Sequence, residues 1–147
     1  MLSVMLIISL TGFSQEITAD KVPVPVKQAF AKKFPAATDV KYEMEMKDYE
    51  INFKIKETKY SANFDAKGKW LETETAIRAA DLPKEVSGFV AKNFTGFKIV
   101  EVSRLETPEM KRCYELDLKS GTEGFEVRFS EKGDILKKVA LKEDTEE

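Results

Sequence analysis

Residues 63–71 read NFDAKGKWL, and residues 128–136 read RFSEKGDIL. Phe64 and Gly68 return as Phe129 and Gly133, each 65 positions later. A pattern written twice constrains a chain strongly, because both copies must fold alike and bury the same stripes. The echo extends upstream. VPVPVKQAFAKKF (22–34) lies over LPKEVSGFVAKNF (82–94) at an offset of 60. Tyr49-Glu50-Ile51 lies over Tyr114-Glu115-Leu116 at an offset of 65, so the second copy gains five residues around Thr107-Pro108-Glu109.

Each copy has one local reading. Val26, Phe30 and Phe34 recur every four residues, as do Val86, Val90 and Phe94, which makes one apolar stripe on a helix. Pro23 and Pro83 sit near the helix starts, where a missing N–H does least harm. Pro35 and Gly96 follow the ends. Period-two alternation then marks strands. Val40, Tyr42, Met44 and Met46 form one run. Tyr49, Ile51, Phe53 and Ile55 form the next, followed by Tyr60, Ala62 and Phe64. The second copy repeats this with Tyr114, Leu116 and Leu118, then Phe125, Val127 and Phe129. Gly68 and Gly133 fall where a hairpin loop needs positive φ. Fourth strands start at Trp70 and Ile135. Trp70 has two readings, strand start or exposed anchor.

The expected fold is α+β: two tandem repeats of a helix plus a four-stranded antiparallel sheet (αββββ twice), with the helices on one face. A unit of about 60 residues is marginal alone, so the two are expected to share a contiguous sheet. The segmentation is 1–14, 15–80 for the first repeat, 81–141 for the second, and an acidic tail at 142–147.

The run from Leu2 to Phe13 is uncharged and mostly apolar. It is too short to span a bilayer as a helix, which takes about 20 residues. With Gly12 and Ser14 near its end, it reads as a secretory signal cut near Ser14 or Gln15. A buried N-terminal strand is the other reading, since no basic residue precedes the run. No cysteine follows it to carry a lipid anchor, and no stable membrane anchor is expected after cleavage. The location implied is periplasmic or secreted.

Chemistry is limited by what the chain lacks. The 147 residues contain no histidine, which removes most triad and zinc-site designs. The net charge of −2 gives no reason to expect nucleic-acid binding. Cys113 is the single cysteine. Alternation puts it on the polar side of its strand, half-covered near the sheet edge or the partner repeat; the other reading is an exposed thiol that pairs with another chain. Glu43 with Glu45, Glu72 with Glu74, and Glu115 with Asp117 each place two carboxylates on one strand face, about 7 Å apart. No cleft or calcium loop accompanies them, so they read as solvated strand faces. No cofactor or metal is called for.

A leader, then a helix ending in KxF, a Y-E-[IL] strand and an F-x-x-x-G turn, the last three written twice, resembles the PepSY-like secreted proteins of Bacteroidetes, which share a fold with the beta-lactamase inhibitor protein. The resemblance covers residues 22–140. It implies a periplasmic or secreted module without catalysis, in a group associated with restraint of peptidases and with extracytoplasmic sensing. It carries over no catalytic residue.

The polar sheet face is therefore the expected site. Its residues are Glu50, Asn52 and Lys54 in the first repeat and Glu115, Asp117, Glu126 and Arg128 in the second. The expected partner is a periplasmic or secreted protein or peptide, captured without chemistry. Restraint of a peptidase or other envelope enzyme is one form this takes. The alternative is an envelope sensor binding a small ligand or metal between the repeats. Charge reversal at Lys54 and Arg128 is expected to weaken capture and leave stability unchanged.

Overall fold

The computed structural model describes residues 14–141. Of the segment read as a secretory signal only Ser14 is described, and the tail 142–147 also lies outside the described residues. The elements are β1 (Ser14–Ile17), α1 (Val24–Lys33), β2 (Thr38–Glu45), β3 (Asp48–Ile55), β4 (Thr58–Phe64), β5 (Trp70–Ala76), α2 (Lys84–Asn93), β6 (Lys98–Glu106), β7 (Cys113–Ser120), β8 (Glu123–Ser130) and β9 (Ile135–Ala140). Short 3-10 turns at Ala19–Lys21 and Ala79–Asp81 lead into the two helices.

The nine strands form one antiparallel sheet whose spatial order is the chain order, β1 to β9. Each hairpin pairs neighbours locally, so no crossover is required. The helices pack on one side. α1 buries Val26 and Phe30 against Ile51, Phe53, Ala62 and Phe64. α2 buries Val86 and Val90 against Leu116, Leu118, Val127 and Phe129. The four-residue spacing thus does what it predicts: it makes a single stripe for the sheet to cover. Lys32 and Lys33 in the last turn of α1, and Lys92 in that of α2, suit the negative helix end.

The hairpin glycines hold the helices in place. Gly68 and Gly133 both have φ +84°. A Cβ on Gly68 would lie 2.5 Å from the Pro25 carbonyl oxygen, and one on Gly133 would lie 2.9 Å from that of Glu85. Both reasons for glycine, the left-handed turn and the close approach of a helix, apply at each position.

Between the two apolar clusters, the helix side of β5 turns polar. Thr73 and Thr75 are buried there. The Trp70 indole N–H donates to Thr73 Oγ1 at 2.9 Å, and Thr75 Oγ1 donates to the Lys59 carbonyl at 2.9 Å. Trp70 is half-buried against the first cluster with Lys33 Nζ 3.7 Å from its ring centre, so it is no exposed anchor.

Three local expectations are corrected. Met46 does not continue the β2 stripe; it sits in the β2–β3 turn at φ +54° and is 82% exposed. Cys113 is not half-covered but buried at 1% exposure. β1 was not expected at all: SQEI shows no apolar alternation, and it pairs only along the outer edge of β2.

Candidate functional site

The side of the sheet away from the helices carries most of the charged residues of the alternating strands, Arg104 and Lys138 being exceptions on the helix side. Register lines up Lys41, Asn52, Ser61 and Glu74 across β2 to β5, and Ser103, Glu115 and Arg128 across β6 to β8. In a flat sheet β2 and β9 would stand about 33 Å apart at the usual strand spacing. Yet Glu45 of β2 and Lys137 of β9 line the same cavity of about 200 Å³. The sheet therefore coils over its polar face and makes it concave. Strand twist accumulates this way in large sheets, and bulges strengthen it. Register shifts occur between Thr38 and Lys41, Asn63 and Phe64, Ile99 and Glu101, and Arg128 and Phe129.

Curvature changes what the polar residues experience. Glu50 is 7% exposed, its carboxylate accepting from Ser61 Oγ at 2.9 Å. Burial holds its carboxyl above the ordinary range, with Ser61 and Asn52 opposing and Glu43 and Glu72 adding repulsion. Burial pushes Glu74 up to about 7, against the pull of the Ser103 hydroxyl and with repulsion from Glu115, Glu72 and Glu101. Glu45, Glu101, Glu115 and Asp117 are all raised, with burial the largest cause in each. The paired carboxylates on β2, β5 and β7 are thus not plain solvated faces. The coil brings carboxylates from distant strands together and strips water from them.

Arg128 sits among them. Its Nη2 lies 2.8 Å from Glu115 Oε2 and its Nη1 3.3 Å from Glu72 Oε2. Lys137 reaches Glu126 at 3.3 Å. Glu45, Glu50 and Glu74 have no ion-pair partner among the described residues.

Of the seven expected site residues, Glu50, Glu115, Glu126 and Arg128 line this acidic cavity. Asn52 and Lys54 line a second, larger one of about 590 Å³, which shares Ser61 and Glu74 with the first. Lys54 is held by Asp39 at 2.7 Å. Asp117 lines neither cavity, though it lies on the same face beside Glu101. Sequence reasoning missed Glu45, Glu72 and Glu74 as members of one site. Their pairing within strands was visible; their convergence needed the curvature. Leu105 and Cys113, opposite one another in register, lie on the polar side and are buried there, Leu105 at 0%. Burial also raises the Cys113 thiol pKa.

Among the described residues no helix is long and apolar enough to cross a membrane, and no group of three or more Cys, Asp or Glu side chains is placed to hold a metal ion. The arrangement offers a shaped, charged concavity.

No curated protein matches the chain. Solved structures do. A BLIP-like protein from Bacteroides fragilis superposes with a TM-score of 0.70 at 26% identity, covering 83% of this chain and 89% of that one. A DUF2874 family protein from Bacteroides uniformis gives 0.73 at 18% identity, over 80% and 88%. A Bacteroides eggerthii protein, named a putative periplasmic protein, gives 0.72 at 18% identity, over 81% and 88%. The model of the beta-lactamase-inhibitor-like, PepSY-like family matches residues 11–60 and 55–137. Two matches in succession span nearly the whole described chain, and the chain belongs to the PepSY-like family.

Proposed function

We propose that this protein is a non-catalytic extracytoplasmic binding module that captures a protein segment or peptide in its concave polar face. The observation that carries this reading is the charge imbalance of the concavity. Glu45, Glu50 and Glu74 are drawn out of water with no cationic partner among the described residues. Partly desolvated carboxylates repel one another, and a guest bringing Lys or Arg relieves that repulsion. Complementary charge sets register and encounter rate more than affinity. Family membership and the periplasmic name of a structural neighbour support a place outside the cytoplasm. The BLIP-like name of another supports restraint of an envelope enzyme as the use of such a face.

Titration of the isotope-labelled protein with an unstructured lysine-containing peptide, against the same peptide with glutamate at the lysine positions, tests the reading. The cationic peptide is expected to shift amide resonances of β3, β5 and β7, and the shift should weaken with salt. Equal responses to both peptides, or shifts confined to α1 and α2, would remove the support.

A further inference from the structure

The larger cavity deepens the reading of the polar face as a peptide-binding surface and rests on it, since Glu74 serves both hollows. Its volume of about 590 Å³ falls within the range of small-molecule sites, about 300–1,000 Å³. Its walls are charged with opposite signs. Lys41 on β2 and Lys59 on β4 stand on one side; Glu74 on β5 and Glu101 on β6 stand on the other. None of these four has an ion-pair partner among the described residues. The third lysine of the wall, Lys54, is already taken by Asp39 at 2.7 Å. Asn52, on β3 between the two lysine strands, and Ser103, on β6 beside Glu101, add polar groups to the lining.

Two unpaired cations facing two unpaired carboxylates select their guest by elimination. A simple anion is attracted by the lysines and repelled by Glu74 and Glu101. A simple cation meets the reverse. A guest with separated opposite charges satisfies both walls. Burial already holds Glu74 and Glu101 above the ordinary carboxylate range, so an ammonium beside them brings relief.

Scale narrows the class. Lys41 and Glu74 lie in one register row, three strand spacings apart, about 14 Å between backbones in a flat sheet. Their side chains reach inward, and the sheet curves, so the gap to be bridged is shorter. Reaching from Lys41 to Glu74 takes more than a single amino acid, whereas an extended tripeptide spans about 10 Å. We propose that this cavity binds a short peptide with both ends free, its carboxylate between Lys41 and Lys59 and its ammonium between Glu74 and Glu101.

Trialanine is a suitable probe because it has no charged side chain, so its binding is separate from recognition of a cationic segment. Titration followed by amide resonances should give saturable shifts at Lys41, Asn52, Lys59, Glu74, Glu101 and Ser103. N-acetyl-trialanine and trialanine amide should each bind about tenfold more weakly, the effect of losing about one charged contact. Glu101→Gln should reproduce the loss seen on N-acetylation and Lys59→Gln the loss seen on amidation, with neither variant melting below the parent protein. Capped peptides that bind as tightly as the free one, shifts mapping elsewhere, or no saturable shift at millimolar peptide would overturn the proposal.

Discussion

The guanidinium of Arg128 meets the carboxylate of Glu72 at 3.3 Å although β6 and β7 lie between their strands. In register Arg128 stands opposite Glu115, Ser103 and Ala76, four residues along β5 from Glu72. Only a coiled sheet lets the two meet.

This contact reverses one expectation about stability. Arg128→Met leaves Glu72 and Glu115 unpaired where their side chains are only 25% and 18% exposed. Such a pair lies between an exposed one, worth under about 1 kcal/mol, and a buried one, which costs about 3–5 kcal/mol to break. A loss of about 2 kcal/mol is expected from urea unfolding. Charge reversal at this position is therefore not neutral to stability. Lys54→Met, at the exposed Asp39 pair, should leave the urea midpoint where it is.

The turn glycines should rank by what approaches them. Gly68→Ala forces a Cβ to 2.5 Å from the Pro25 carbonyl at φ +84°, and Gly133→Ala one to 2.9 Å from that of Glu85 at the same φ. Left-handed strain alone costs about 1–2 kcal/mol. Adding the clash, about 3 kcal/mol is expected at Gly68 and somewhat less at Gly133. Gly88→Ala, in α2 with nothing near it, should instead stabilise by about 0.5–1 kcal/mol. Thermal melts of the three variants give the order.

Stability should fall as pH rises through neutrality. Glu74 has a folded-state pKa of about 7, against an ordinary 4.5. Between those values the native state keeps a proton that the unfolded chain has released. Its contribution is fully present below pH 4.5 and lost as pH climbs through about 7, on the order of 3 kcal/mol. Glu45, Glu50, Glu101, Glu115 and Asp117 are raised too and act in the same direction. Melting temperature should drop between pH 5 and 8, and Glu74→Gln should flatten that slope.

Cys113 should be silent until the protein unfolds. Its side chain is buried and its thiol pKa is raised, so thiolate and access are both scarce. Alkylation in native buffer should be slow, and it should accelerate in step with the loss of Trp70 fluorescence in denaturant.

Much of the architecture could be read from spacing. Four-residue stripes locate both helices within two residues, and alternation assigns the residues of β2, β3, β4, β7 and β8 to their sides. The turn glycines fall where φ is positive. Alternation says which side a residue occupies but not how far that side curves. Hence Cys113 is on the polar side by pattern yet buried, together with Leu105, its register partner on β6. Glu45, Glu72 and Glu74 looked like solvated pairs because their neighbours in space are residues 5 to 56 positions away in sequence, joined by coiling. β1 escaped notice for a different reason. An edge strand of four polar and mixed residues buries too little to leave a periodic trace.

β5 is stitched to its neighbours over short stretches, Trp70–Glu74 against β4 and Thr73–Ala76 against β6. It is also the strand that presents Glu74 to both hollows and Glu72 to the smaller one. A guest gripping the walls on either side would act as a clasp across a thin suture in the middle of the sheet. Occupancy would then be felt as rigidity along the whole arch, and a loosened suture would be felt as a lost grip.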